Sequence, residues 1–254
     1  MARYFIELAY KGTRYHGWQI QNNGISVQGE LEKALHTLLR EKVSITGAGR
    51  TDSGVHSKYM VAHFDFSSEL DDPVSLASKL SSFLPFDITV YHIKKVDDKA
   101  HARFDAIGRR YEYHITLGKN PFTRNLATCI NYKLDFDAMN RAARVLLENE
   151  DFTSFSKLHS SAKTNLCDVT SAFWEQRDDR WVFTIQANRF LRDMVRAIVG
   201  TLLDVGRGKL SQLEFSEIIK AKDRGKAGSS VLAKGLYLVD VIYPKELFTR
   251  SNPL

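Results

Sequence analysis

Tyr4, Ile6, Leu8 and Tyr10 alternate with Phe5, Glu7 and Ala9. That period of two predicts a strand with at least one buried face. Ser26 can cap a helix whose Val27, Leu31, Ala34, Leu35, Leu38 and Leu39 recur at helical spacing. Val43 and Ile45 mark a short strand ending at Gly47-Ala48-Gly49, and a longer one runs from Tyr59 to Phe66. A helix starting near Pro73 carries Val74, Ala77, Leu80 and Leu84, with Pro85 as its stop. Thr89 to Val96 reads as a further strand, so the first hundred residues spell β-α-β-β-α-β.

A second alternation follows. Tyr111, Tyr113, Ile115 and Leu117 face one way; Arg110, Glu112, His114 and Thr116 face the other. Phe136 to Leu147 predicts an amphipathic helix, and Val169–Gln176 with Trp181–Ala187 a hairpin whose polar turn is Arg177-Asp178-Asp179-Arg180. Phe190 to Val205 predicts a strongly apolar helix and Leu213 to Ile219 a short one. A mobile-looking stretch, Lys222 to Ser230, leads into a last strand from Gly235 to Tyr243. This list contains β-α-β-β-α-β again, with one extra helix. The expectation is an α+β fold made of two similar halves, residues 1–103 and 104–254, whose sheets can join edge to edge. No residue-level repeat links the halves; element order alone suggests the duplication.

Composition narrows the class. The chain has 254 residues, 26% charged and 43% hydrophobic, which excludes disordered and fibrous classes. No window approaches the roughly 20 apolar residues of a membrane span. Cys129 and Cys167 offer neither a disulfide framework nor metal-type spacing, so a reducing, cytoplasmic setting is the default. The net charge of +6 is uneven: residues 1–103 carry 13 basic and 12 acidic side chains, residues 104–254 carry 23 and 18. Such a balance permits a polyanionic partner without arguing for one.

Three stretches can carry chemistry. Gly47 to His56 packs three glycines, Arg50 and Asp52 behind a strand, in neither Rossmann nor P-loop spacing. It is either a tight structural turn or a loop presenting Arg50 and Asp52 to a cleft. Tyr10 to Gln19 interleaves Lys11, Arg14 and Trp18 with glycines, a composition suited to gripping phosphates and stacking bases; Trp18 can equally plug the core. On a helix, Arg189, Arg192 and Arg196 share one face, and the apolar neighbours of Arg196 suggest partial burial beside an anionic partner. The histidines show no ligand spacing, and no metal site is expected.

Gly49-Arg50-Thr51-Asp52-Ser53-Gly54-Val55-His56 resembles the Gly-Arg-Thr-Asp-x-Gly-Val-His signature of the tRNA pseudouridine synthase A family. Tyr10-Lys11-Gly12-Thr13, Gly17-Trp18-Gln19 and Val27-Gln28 resemble the family's opening. Ala102-Arg103-Phe104 with Arg110-Tyr111-Glu112-Tyr113 resembles its middle. Phe190-Leu191, Met194-Val195-Arg196, Gly200 and Gly235-Leu236-Tyr237-Leu238 resemble its end. There are departures. Ser53 and Ser57 stand where alanine is more usual, and Asp193 where Asn or His is commoner. Ser229-Ser230-Val231-Leu232 lacks the prolines usual before the last strand, which bears on loop rigidity and not on the chemistry.

The resemblance implies two ferredoxin-like halves joined around a central cleft, acting on uridines 38, 39 and 40 of the tRNA anticodon stem-loop. It makes Asp52 the catalytic carboxylate, as nucleophile at C1′ or as base at C2′. It makes Arg196 the salt-bridge partner of Asp52, Arg50 the aid to base extrusion and Tyr111 the platform stacking on the flipped uracil. Lys11, Arg14, Trp18, Arg189 and Arg192 are the expected RNA contacts. It implies a homodimer and no cofactor or metal. The alternative is a tRNA-binding or tRNA-folding protein without catalysis; a glycoside hydrolase lacks an identifiable second carboxylate.

Overall fold

A computed structural model describes residues 1–22, 24–157 and 163–249. The chain forms a mixed α/β structure of two compact units. The first comprises Met1–Ile107 and the chain from Leu238 onward; the second is Gly108–Tyr237.

In the first unit, β1 (Ala2–Tyr10), α1 (Val27–Leu39), β2 (Ile45–Gly47), β3 (His56–Phe66), α2 (Pro73–Phe83) and β4 (Ile88–Val96) follow the predicted order. The strands lie β4-β1-β3-β2, every pair antiparallel. β1 is central and buried on both faces: Phe5 and Ile6 are fully buried, and buried Glu7 accepts from Lys94 Nζ at 2.8 Å on neighbouring β4. Ser26 caps α1 by accepting from the Gly29 amide, and Asp72 caps α2 by accepting from that of Ser75. Leu76, Ala77 and Leu80 turn inward from α2, whereas Val74, read as part of that apolar face, lies exposed in the first turn.

His63 of β3 is buried and its Nδ1 accepts from the Ala102 amide at 3.1 Å. Burial, assisted by the nearby Arg3 and His101 charges and opposed by Asp65 and Asp105, pushes its pKa down to about 4. The folded pKa is below the unfolded one, so this stabilisation is complete above pH ~6.5 and is lost as pH falls towards 4. His63→Asn keeps an acceptor for Ala102 but does not titrate. Its denaturation midpoint should therefore change less than the wild type's between pH 7 and 4.5.

The second unit holds β5 (Gly108–Leu117), β6 (Thr128–Ile130), α3 (Phe136–Arg144), β7 (Val169–Arg177), β8 (Arg180–Ala187), α4 (Met194–Gly206) and α5 (Gln212–Lys220). β5-β8-β7 is antiparallel, and β6 adds to β5 in parallel. β6 is an element the hydrophobic pattern does not reveal, because three residues carry no periodicity. α3 stops at Arg144 and tightens into a 3₁₀ turn over Val145–Glu148. The hairpin turn is only Asp178-Asp179, with Asp178 at φ 52°. Glu112 and His114, assigned to the face opposite Tyr113, are buried too, so β5 is covered on both faces there.

α4 begins at Met194, not at Phe190. Asp193 adopts the left-handed φ of 68°, which interrupts helical geometry, so Arg189 and Arg192 lie before the helix and share no face with Arg196. The stretch read as mobile is tied down: Arg224 donates to Gly228 O at 3.1 Å, and the Gly228 amide donates to Thr201 Oγ1 at 2.9 Å. The last strand, β9, spans Leu236–Ile242, and a short α6 spans Glu246–Thr249. From Leu238 the chain belongs with the first unit, where Ser57 Oγ donates to Leu238 O at 3.2 Å; the expectation had kept it with the second half.

Candidate functional site

Asp52 sits half-buried in the loop between β2 and β3, and that loop is braced by the chain leaving β1. Tyr10 OH lies 2.8 Å from Thr51 Oγ1, the Trp18 amide donates to Thr51 O at 3.1 Å, and Ser53 Oγ donates to Tyr15 O at 3.2 Å. The Gly54 amide also donates to Tyr15 O, at 3.3 Å, and Gly54 turns the chain at φ 79°. The Gly12 amide donates to His56 Nδ1 at 3.0 Å, which fixes that buried imidazole's acceptor nitrogen. Gly12 and Gly17 are required by close approach. A Cβ at Gly12 would lie 1.9 Å from Val55 O, and one at Gly17, where φ is +90°, would lie 2.5 Å from Thr51 O.

These contacts assign a physical role to the Tyr10–Gln19 stretch. Trp18 is 2% exposed, and a Cβ at Gly47 would meet its ring at 2.6 Å. The ring is a core plug, and the expectation that it stacks on bases is corrected. Arg14 is exposed, yet its guanidinium is engaged in a paired contact with Asp87, at 2.7 and 3.2 Å. Tyr15 OH donates at 2.5 Å to Asp87 Oδ1, the oxygen that also accepts from Arg14 Nη2, and the Lys11 amide donates to Asp87 O at 2.8 Å. Burial would raise the Asp87 pKa; the hydrogen bonds from Arg14 and Tyr15 outweigh it and hold the carboxyl below its ordinary value. Burial first, then the bond to Asp87, pushes the Tyr15 phenol up to about 12. Asp87, which sequence reasoning missed, and His56, quoted in the motif but given no role, brace this part of the chain. Asp87 leaves no local signal, because its partners lie more than 70 positions away. The Lys11 and Arg50 side chains are exposed.

The second unit presents Tyr111 and Arg196. Tyr111 stands on β5 opposite Ile185, half-buried, with its ring edge-on to Phe190 at 5.1 Å and 84°. The two rings meet in the T-shaped arrangement that aromatic pairs favour. Tyr113, two residues on, is fully buried, its hydroxyl between Thr128 Oγ1 at 2.6 Å and Leu232 O at 2.8 Å. Burial holds its phenol far above the usual range, so Tyr113 is a neutral structural anchor. Arg196, in the first turn of α4, donates from Nε to Val231 O at 2.7 Å, and its Nη1 lies 3.1 Å from Asp193 Oδ1. Arg189 is half-buried, with Nη1 donating to Thr164 O at 3.3 Å; Arg192 is exposed in the turn before α4. Among the described residues, no cluster of three His, Cys, Asp or Glu side chains is arranged to hold a metal, and no helix is long and apolar enough to cross a membrane.

Comparison with known proteins bears on both units. A family model described as tRNA pseudouridine synthase matches residues 8–105 and 142–244. A protein of Parabacteroides distasonis named tRNA pseudouridine synthase A is 56% identical over 248 residues, covering 98% of each chain. Its namesake in Bacteroides fragilis is 57% identical over 247 residues, covering 97% of this chain and 98% of that one. A protein of the same name from Thermoanaerobacter sp. strain X514 is 41% identical, across 96% of this chain and all of its own length. With the Asp52 loop, its glycine bracing and the motifs of the second unit spanned by these matches, the chain belongs to the tRNA pseudouridine synthase family.

Proposed function

We propose that this protein is an enzyme that isomerises uridine to pseudouridine in tRNA, at positions 38, 39 and 40 of the anticodon stem-loop. The observation that carries the reading is the Asp52 loop. A carboxylate on a turn held by Tyr10, Gly12, Tyr15 and Trp18 of the chain leaving β1 is the kind of preorganised group that bond-breaking at a sugar carbon requires.

The reaction breaks the C1′–N1 bond, turns the uracil and forms C1′–C5; the C5 proton leaves to solvent and N1 gains one. The uridine must first leave the stack, at a cost of a few kcal/mol. Asp52, ionised, attacks C1′ or removes the C2′ proton. Tyr111 stacks on the loosened base, a role supported by its half-buried ring and edge-on contact with Phe190. Arg196 pairs with Asp52. Arg50, exposed and two residues from Asp52, assists extrusion of the base. Lys11, Arg189 and Arg192 offer charge to phosphates; Arg14 does so only at the expense of its pairing with Asp87.

The β4-β1-β3-β2 antiparallel order supports a ferredoxin-like first half, and we read the second as its partner across a central cleft. We also read the protein as a homodimer without cofactor, as the family resemblance implies, and as cytoplasmic, the default set by its cysteine usage. In a test, the protein should release tritium from tRNA labelled with 5-³H-uridine, with Tyr111→Phe milder than Tyr111→Ala because stacking needs the ring. Binding without release would instead identify a tRNA-binding protein without catalysis, and equal losses in the two variants would shift the role to the hydroxyl.

A further inference from the structure

Arg196 is gripped by a strap. Residues Arg224 to Leu232 cross α4 so closely that a Cβ at Gly200 would lie 1.9 Å from Ser229 O. The strap is pinned at two points: Gly228 N donates to Thr201 Oγ1 at 2.9 Å, and Leu232 O accepts from Tyr113 OH at 2.8 Å. Between the pins it meets Arg196 twice. The Val231 amide donates to Arg196 O at 3.2 Å, and Arg196 Nε donates to Val231 O at 2.7 Å.

Asp193, just before α4, and Ser230 of the strap come together here. The position of Asp193 demands a left-handed backbone, φ 68°, which Asn, Asp and His tolerate better than most residues. Of these, only Asp adds a negative charge. One oxygen of its carboxylate faces Arg196 Nη1 at 3.1 Å, and the other accepts a short hydrogen bond from Ser230 Oγ. Ser230 Oγ in turn accepts from Arg224 Nη2 at 3.1 Å. The result is a continuous line, Arg224–Ser230–Asp193–Arg196. Its Asp193 and Arg196 side chains are only 17% and 22% exposed, where charge-assisted bonds are little screened.

We propose that Asp193 and Ser230 are positioning residues for Arg196, latching the strap onto α4 and holding the guanidinium in one orientation for the reaction. This rests on the reading that Arg196 serves Asp52. A strap without prolines has more conformations to lose. The Ser230–Asp193 bond removes that freedom by a polar latch instead, and the Asp193–Arg196 pair passes the order to the side chain that needs it.

The test is single-turnover tritium release with enzyme in excess over labelled tRNA, alongside tRNA Kd and thermal midpoint, for Ser230→Ala, Ser230→Thr, Asp193→Asn and the Ser230→Ala/Asp193→Asn double variant. Asn at 193 keeps the left-handed backbone, and Thr at 230 keeps the hydroxyl. Ser230→Ala and Asp193→Asn should each slow release about tenfold with Kd changed less than about twofold, as loss of a charge-assisted bond predicts. Ser230→Thr should recover most of the rate. The double variant should be no slower than the slower single one, because the two residues act as one unit. Wild-type rates in both singles, multiplied losses in the double, or a Kd that rises and a thermal midpoint that falls in step with the loss of rate would overturn the proposal. Arg196→Ala running at full rate would overturn the underlying reading as well. An inactive Arg196→Ala beside fully active Asp193 and Ser230 variants would overturn the latch alone.

Discussion

Asp52→Ala is expected to abolish tritium release from labelled tRNA, with a fall of at least about a thousandfold, while tRNA Kd stays within about threefold of the wild type. The size follows from the role. A carboxylate that attacks or deprotonates the sugar acts only on the way to the transition state, so its loss removes rate without removing affinity. Asp52→Asn should be nearly as slow, because the amide fits the same loop but is neither nucleophile nor base. The loop itself should persist in both variants. The braces from Tyr10, Gly12, Tyr15 and Trp18 run through the Thr51 and Tyr15 carbonyls, the Thr51 and Ser53 hydroxyls and the His56 imidazole, none of which the substitution touches. A rate that survives in Asp52→Ala would remove this carboxylate from the chemistry and return the protein to the class of non-catalytic tRNA binders.

Gly12→Ala is expected to cost the fold about 3 kcal/mol or more and to lower activity over a hundredfold in the protein that remains folded. The added methyl would meet Val55 O at 1.9 Å, Val55 C at 2.7 Å and Gly54 C at 3.2 Å. All three are backbone atoms of the Asp52 turn, so no side chain can swing away to make room. The turn itself must shift, and its shift carries Asp52 with it. Gly49→Ala is the control, since nothing lies within 4 Å of a Cβ there. Its denaturant midpoint should be unchanged or slightly raised. Equal midpoints for Gly12→Ala and the wild type would mean that the loop gives way more readily than its packing implies.

Much of the fold was legible in the sequence because its elements carry strong local signals. Ser26 and Asp72 both cap the helices they precede, and the apolar alternation of residues 4–10 does form the central strand of its unit. What escaped was set by contacts distant in sequence or by a single backbone angle. β6 is three residues long and exists only because β5 offers it an edge. The start of α4 moved four residues because Asp193 takes a positive φ, which apolar periodicity cannot reveal. At the candidate site, Asp52, Tyr111 and Arg196 were singled out by the family resemblance of their motifs. Asp87 was not, since an isolated Asp after Pro85-Phe86 looks like any other loop residue. Its hold on Arg14, Tyr15 and the Lys11 amide becomes evident only once β4 lies beside β1. Trp18 carried two readings from composition alone, and burial selects one of them.

The bracing of the Asp52 turn by the chain just after β1 also bears on heat and denaturant. Residues 10–18 and 51–56 keep their mutual grip only while β1 is zipped to β3, so the turn has no private melting event of its own. Catalytic competence is thereby yoked to global cooperativity: a warmed sample should hold fully working molecules and unravelled ones, with few intact molecules whose carboxylate has drifted.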